Sequence, residues 1–197
     1  MAWKVNGLEG RVQKSIHIGG VEAGKKPTVI RTLLGSCIAV CLRDPRARVG
    51  GMNHFMLPAG DDDTELSTRY GIHAMELLIN RCMKLGADRS RLEAKVFGGA
   101  HVLRMRESAD NVPQSNIRFA LHFLHVENIP ILSQDVGGYA AREIYFWTDT
   151  GRLLLRRLSA TGADDQVDRE ALAREEQAQR RQRHSAPTRD DSNITLF

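Results

Sequence analysis

Two rhythms of apolar positions run along this chain. Short apolar runs bounded by turn residues occupy 29–34, 38–42, 49–57 and 92–99, each of strand length. A further strand is expected within "PILSQDVGG" (130–138), and "REIYFW", "TDTG" and "RLLLRRL" read as a hairpin. Helical spacing appears twice. Ile72, Met75, Leu78, Ile79, Cys82 and Leu85 form one stripe, with Ser67 placed as N-cap behind the acidic loop "DDDTE" and Gly86 placed to stop it. Ile117, Ala120, Leu121 and Leu124 form the other, which ends before Asn128-Ile129-Pro130. The segment "HIGGVEAGKK" reads as glycine-rich punctuation. Strands outnumber helices and fall in adjacent hairpins, so the expected class is α+β with a largely antiparallel sheet, not a doubly wound one.

The pattern ends near residue 160. Beyond it, "DDQVDREALAREEQAQRRQR" has acids first, arginines last and no apolar stripe, the signature of a solvated helix or a disordered tail. The expected organisation is one domain over 1–160 and a polar tail over 161–197. At 197 residues and 42% hydrophobic content, one core is affordable in size. Residues 1–160 carry 22 Lys and Arg against 16 Asp and Glu, dispersed without basic runs or interleaved aromatics. A nucleic-acid surface concentrates its charge, so nucleic acid is set aside. No eighteen-residue apolar run and no signal-peptide core is present, so no membrane insertion is expected. Three cysteines, an odd and small number, point to a reducing cytoplasm.

Candidate chemistry is concentrated in "TLLGSCIAVCLRDPRARVGGMNHFMLP" (32–58). A type I turn at Asp44-Pro45-Arg46-Ala47 would set Asp44 against Ala47 and Cys37 directly opposite His54, with Cβ atoms roughly 4.5–5.5 Å apart. A bulge would change that register. An imidazole beside a thiol of ordinary pKa ~8.5 makes it a usable nucleophile. Gly35 and Ser36 leave Cys37 at a strand start, and the amides around Ser36 and Cys37 are candidate oxyanion donors. Thr32 is the candidate to hold the histidine ring. Gly98 and Gly99 in "FGGAHVL" either give substrate close access to the backbone or form a plain strand-to-loop turn. Gln134 or Arg142 in "QDVGGYAAR" is a further candidate near the substrate. The plain alternative makes Cys37 a small buried hydrophobe and His54 a satisfied core histidine. No metal and no cofactor are expected: Cys37 and Cys41 stand about 13 Å apart on one strand face, too far for shared zinc or a disulfide. Cys41 and Cys82 read as core, and His101 as structural or exposed.

With "TLLGSCIAVCLRDP", "VGGMNHFMLP", "KVFGGA" and "DVGGYAAREIYFWTDTG" in order, the chain resembles the CheD family of chemoreceptor glutamine deamidases. The resemblance implies a layered α/β sandwich, a cysteine hydrolase fold. It implies Cys37 as nucleophile, His54 as general base and Thr32 in support. It implies methyl-accepting chemotaxis receptors as substrates, a thioester intermediate, and glutamyl methyl esters as a second substrate class for the same acyl-enzyme. In some systems it implies partnership with a CheC-type phosphatase. The other class of function is a non-catalytic adaptor that docks on a chemotaxis protein. An intact Cys37 and His54 favour the enzyme, because an adaptor has no need of the pair. The tail lies outside the resemblance.

Overall fold

The computed structural model describes residues 5–57, 64–102 and 112–158. Nine strands and two long helices follow one another there as β1 (Val12–Ser15), β2 (Val21–Gly24), β3 (Thr28–Leu34), β4 (Ile38–Asp44), β5 (Val49–Asn53), α1 (Thr64–Lys84), β6 (Glu93–Gly98), α2 (Val112–Val126), β7 (Ile131–Val136), β8 (Ala141–Trp147) and β9 (Leu153–Leu158). They build two sheets, β1-β3-β8-β9 and β2-β5-β4-β6-β7. Five of the ladders are antiparallel, while β1–β3 and β6–β7 are parallel. The class is α+β, with layers of sheet, sheet and helices.

The continuous apolar run of β4 has a physical reason. Ala39 and Cys41 face the first sheet, where they meet Ile30, Leu34, Ile144 and Phe146. Ile38, Val40 and Leu42 face the other way, onto Met75, Leu78, Ile79 and Cys82 of α1 and Ala120 and Leu124 of α2. A strand covered on both faces has no polar positions to alternate with. Each helix covers its sheet with most of the stripe seen in the sequence, but Ile72 of α1 is exposed. Past the end of α1, the amide of Gly86 donates to the Met83 carbonyl, with Gly86 in the left-handed region as a helix stop requires.

Four expectations change. The glycine-rich segment holds β2, and β1 precedes it; four-residue strands with few apolar positions give no readable alternation. Helix α1 starts at Thr64, so Ser67 lies inside its first turn and is not its cap. The strand expected over 49–57 stops at Asn53, with only the Ile38–Phe55 bridge beyond it. Finally, the β4–β5 turn is four residues long, from Pro45 to Arg48: Asp44 pairs with Val49 and Cys41 with Met52. The Asp44 carboxylate accepts from the amides of Arg46 and Ala47, and Arg48 takes a left-handed φ of 54°, which closes the longer loop. The acidic residues 61–63 and the tail 161–197 lie outside the described residues.

Candidate active site

The chain crosses from the first sheet to the second between β3 and β4, through Gly35, Ser36 and Cys37. All three carbonyls of this crossover are held from outside it. Gly35 O accepts from the Ala100 amide at 2.8 Å, Ser36 O from Asn116 Nδ2 at 3.0 Å, and Cys37 O from the Gly99 amide at 2.6 Å. Cys37 is fully buried, and Ser36 is partly exposed at the rim.

Gly98 and Gly99, at the end of β6, are what allow this packing. Both have positive φ, at 114° and 65°. A Cβ on Gly98 would overlap the Cys37 carbonyl oxygen, and one on Gly99 would stand 2.6 Å from the Ile117 side chain. The two glycines therefore back the cysteine turn. The Gly99 amide is committed to the Cys37 carbonyl, and the amides of Ser36 and Cys37 are the candidate oxyanion donors.

The longer turn also corrects the pairing. Continuing the observed register puts Met56 opposite Cys37 and Ala39 opposite His54, so the expected direct Cys37–His54 pair becomes a diagonal one. The offset is two residues, and a shift of two keeps every side chain on its own face. Cys37 and His54 thus still share the inter-sheet face. The His54 backbone is fixed from β2's side: its amide donates to Gly20 O at 2.9 Å and its carbonyl accepts from Gly19 at 2.7 Å. Asn53, just before it, accepts the Val40 amide on its side-chain oxygen, replacing one rung of the ladder.

Thr32 reaches this histidine across the gap between the sheets. Its Oγ1 lies 2.8 Å from His54 Nδ1 and 2.8 Å from the Ile16 carbonyl oxygen. A threonine hydroxyl has one proton, and a carbonyl can only accept, so that proton goes to Ile16. Thr32 Oγ1 must then accept from Nδ1–H. The tautomer is thereby assigned, leaving the lone pair on Nε2. Burial, with a smaller contribution from His17, pushes the His54 pKa down from 6.5 to about 3, so the ring is neutral. A neutral imidazole of known tautomer, turned to the same layer as a buried thiol, has the form of a general base.

The other candidates fall elsewhere. Arg142 donates to the Asp135 carboxylate and to the carbonyls of Gly137 and Ala140, and is buried as a strut of its loop. Gln134 is exposed on β7. The His101 ring lies 6.1 Å from that of Tyr139. Burial raises the Cys41 thiol far above its usual range and the Cys82 thiol to about 12, as fits core residues. None of the three cysteines is in a disulfide. Among the described residues no three His, Cys, Asp or Glu side chains group to hold a metal ion.

Sequence reasoning missed Asn116. It is fully buried on α2, its Nδ2 on Ser36 O and its Oδ1 accepting from the Leu57 amide at 2.8 Å. The signal was a polar residue on the stripe of Ile117, Ala120 and Leu124.

Comparison with known proteins places this architecture among relatives. The family described as CheD chemotactic sensory transduction matches residues 56–157, which begins just after His54. A protein of Bordetella petrii named probable chemoreceptor glutamine deamidase CheD is 52% identical over 139 residues, 70% of this chain and 62% of that protein. Proteins of the same name from Stenotrophomonas maltophilia K279a and Caulobacter sp. K31 are 50% and 44% identical. The first alignment covers 66% of each chain; the second covers 86% of this chain and 84% of the relative. The chain therefore spans less than two thirds of the Bordetella protein's length.

Proposed function

Because this chain belongs to the CheD family, we propose that it is a cysteine amidohydrolase that converts glutamines of methyl-accepting chemotaxis receptors to glutamate. The observation that carries this reading is the Thr32–His54 hydrogen bond, whose direction leaves Nε2 able to take a proton. An adaptor would have no use for a buried, oriented imidazole in the layer of a buried thiol.

In this reading Cys37 gives its thiol proton to His54 Nε2 as sulfur attacks the carboxamide carbon. The amides of Ser36 and Cys37 stabilise the oxyanion of the tetrahedral intermediate. Imidazolium returns the proton to nitrogen, the C–N bond breaks and ammonia leaves a thioester on Cys37. Water then gives a proton to His54 and adds to the thioester carbon; the C–S bond breaks, the thiolate recovers the proton, and glutamate is released. Thr32 accepts from Nδ1–H throughout and disperses the charge of the imidazolium. Glutamyl methyl esters would enter at the same step with methanol as leaving group.

Among the described residues no helix is long and apolar enough to cross a membrane. Our reading places the protein in the cytoplasm, where receptor signalling domains lie, with residues 1–160 as the catalytic unit and 161–197 as a dispensable tail. A CheC-type phosphatase is the regulatory partner in this reading. The test is intact-mass analysis of a soluble receptor signalling fragment after incubation with the full chain. Amide-to-acid mass gain at discrete glutamines is expected, and an unchanged fragment would overturn the assignment.

A further inference from the structure

The Asn116 side chain does more than fill the boundary between α2 and the second sheet. It is a fully buried polar group with both ends engaged on backbone, Nδ2 on Ser36 O at 3.0 Å and Oδ1 on the Leu57 amide at 2.8 Å. Those two backbone atoms belong to the cysteine crossover and to the segment just beyond His54. One amide thus ties together the two chain segments that carry the reacting groups.

The bond to Ser36 O has a directional consequence. A trans peptide unit is planar, with its C=O and N–H pointing in opposite directions, and no described peptide bond here is cis. The N–H partnered with the Ser36 carbonyl in that plane is the amide of Cys37. Holding Ser36 O toward α2 therefore turns the Cys37 N–H away from α2, toward the side where β4 meets the first sheet. The Ala100 amide does the same to the preceding unit through Gly35 O, so the Ser36 N–H is directed by the same logic.

We propose that Asn116 is a positioning residue for the oxyanion hole: by fixing the Ser36–Cys37 peptide plane it aims the Cys37 amide at the oxygen of the reacting carboxamide. The inference rests on the deamidase reading above. Without the side-chain donor, that plane loses its own restraint and the amide is no longer preorganised.

The test compares two reactions of the same thiol. Deamidation passes through a tetrahedral oxyanion; alkylation of Cys37 by iodoacetamide displaces iodide and has no oxyanion. Asn116→Ala removes both bonds, and Asn116→Asp keeps the size and the acceptor for Leu57 while its ionised carboxylate has no donor for Ser36 O. Both rates are measured on the full-length wild type and variants, with a thermal melt for each. In any folded variant, turnover of a receptor fragment is expected to fall about 10²-fold or more, the usual cost of an oxyanion donor, with the alkylation rate retained within about threefold. Parallel loss of both reactions, or unchanged turnover, would overturn the role of Asn116. Failure of both variants to fold would overturn it too, making the residue a structural clamp. A wild type that alkylates but releases no ammonia would instead overturn the deamidase reading.

Discussion

A single hydroxyl proton decides the state of the histidine. Thr32 can donate once, the Ile16 carbonyl takes that bond, and His54 is left with its proton on Nδ1. Burial adds the second condition, a neutral ring, by lowering the folded pKa from 6.5 to about 3. The folded value lies below the unfolded one, so on acidification the unfolded chain binds a proton first. Stability from this group is complete above about pH 6.5 and is lost as pH falls toward 3, with a slope approaching about 1.4 kcal/mol per pH unit. Urea midpoints of the wild type should fall between pH 6.5 and 4.5, and His54→Gln should flatten that slope. Equal slopes in the two proteins would show that His54 is not held neutral.

At the scale of elements, the β4–β5 turn decides which residues face each other, and one buried carboxylate organises it. Asp44 accepts from the amides of Arg46, Ala47 and Asp88 and pairs with Arg91, whose guanidinium holds the carboxyl well below its usual range. Asp44→Ala should cost about 1–3 kcal/mol, chiefly because the amides of Arg46, Ala47 and Asp88 lose their acceptor while Arg91 stays partly solvated. Turnover of the folded variant should remain, since Asp44 lies at the end of β4 remote from Cys37. A urea melt and an ammonia assay check both; a near-zero loss would mean that the turn does not depend on this carboxylate. This turn also marks where the sequence stops being legible. The apolar runs announced β3, β4, β8 and β9, and the stripes announced both helices, because burial writes directly into residue type. Turn length depends on where one carboxylate finds its donors and on Arg48 accepting a positive φ, neither of which alters the apolar pattern. Strands β1 and β2 escaped notice for a related reason, being short and held by backbone pairing more than by side-chain burial. Of the candidate site, the residue types Cys37, His54 and Thr32 could be named from the sequence, and the structure brings Thr32 onto His54. Its supports were not legible: Asn116 and the Gly98–Gly99 contact act on backbone atoms that come together only in the fold.

For the whole molecule, charge and layering would set how a substrate arrives in the proposed reading. The thiol and imidazole lie between two sheets, at the crossover where Ser36 forms the rim. Residues 1–160 carry six more basic than acidic side chains, and exposed basic residues such as Lys25, Lys26 and Arg46 present that excess to solvent. A receptor signalling domain, by what family membership implies, is a helical coiled coil rich in Glu and Gln. Electrostatic steering should then raise the encounter rate, and salt should screen it as the Debye length falls from ~10 Å at 0.1 M to ~3 Å at 1 M. kcat/KM on a receptor fragment should fall severalfold over that range, while a small neutral glutamine peptide should show little change. The same salt response for both would assign recognition to shape and backbone contacts instead.

The central claim, that one buried thiol carries the chemistry, is tested most directly by ammonia release from a receptor fragment with Cys37→Ala, Cys41→Ala and Cys82→Ala compared side by side. Loss of turnover by about 10³-fold or more is predicted for Cys37→Ala, with the fold retained. The Cys41 and Cys82 variants should lose stability as core truncations do and keep their turnover. Undiminished ammonia release by Cys37→Ala would contradict the covalent mechanism outright.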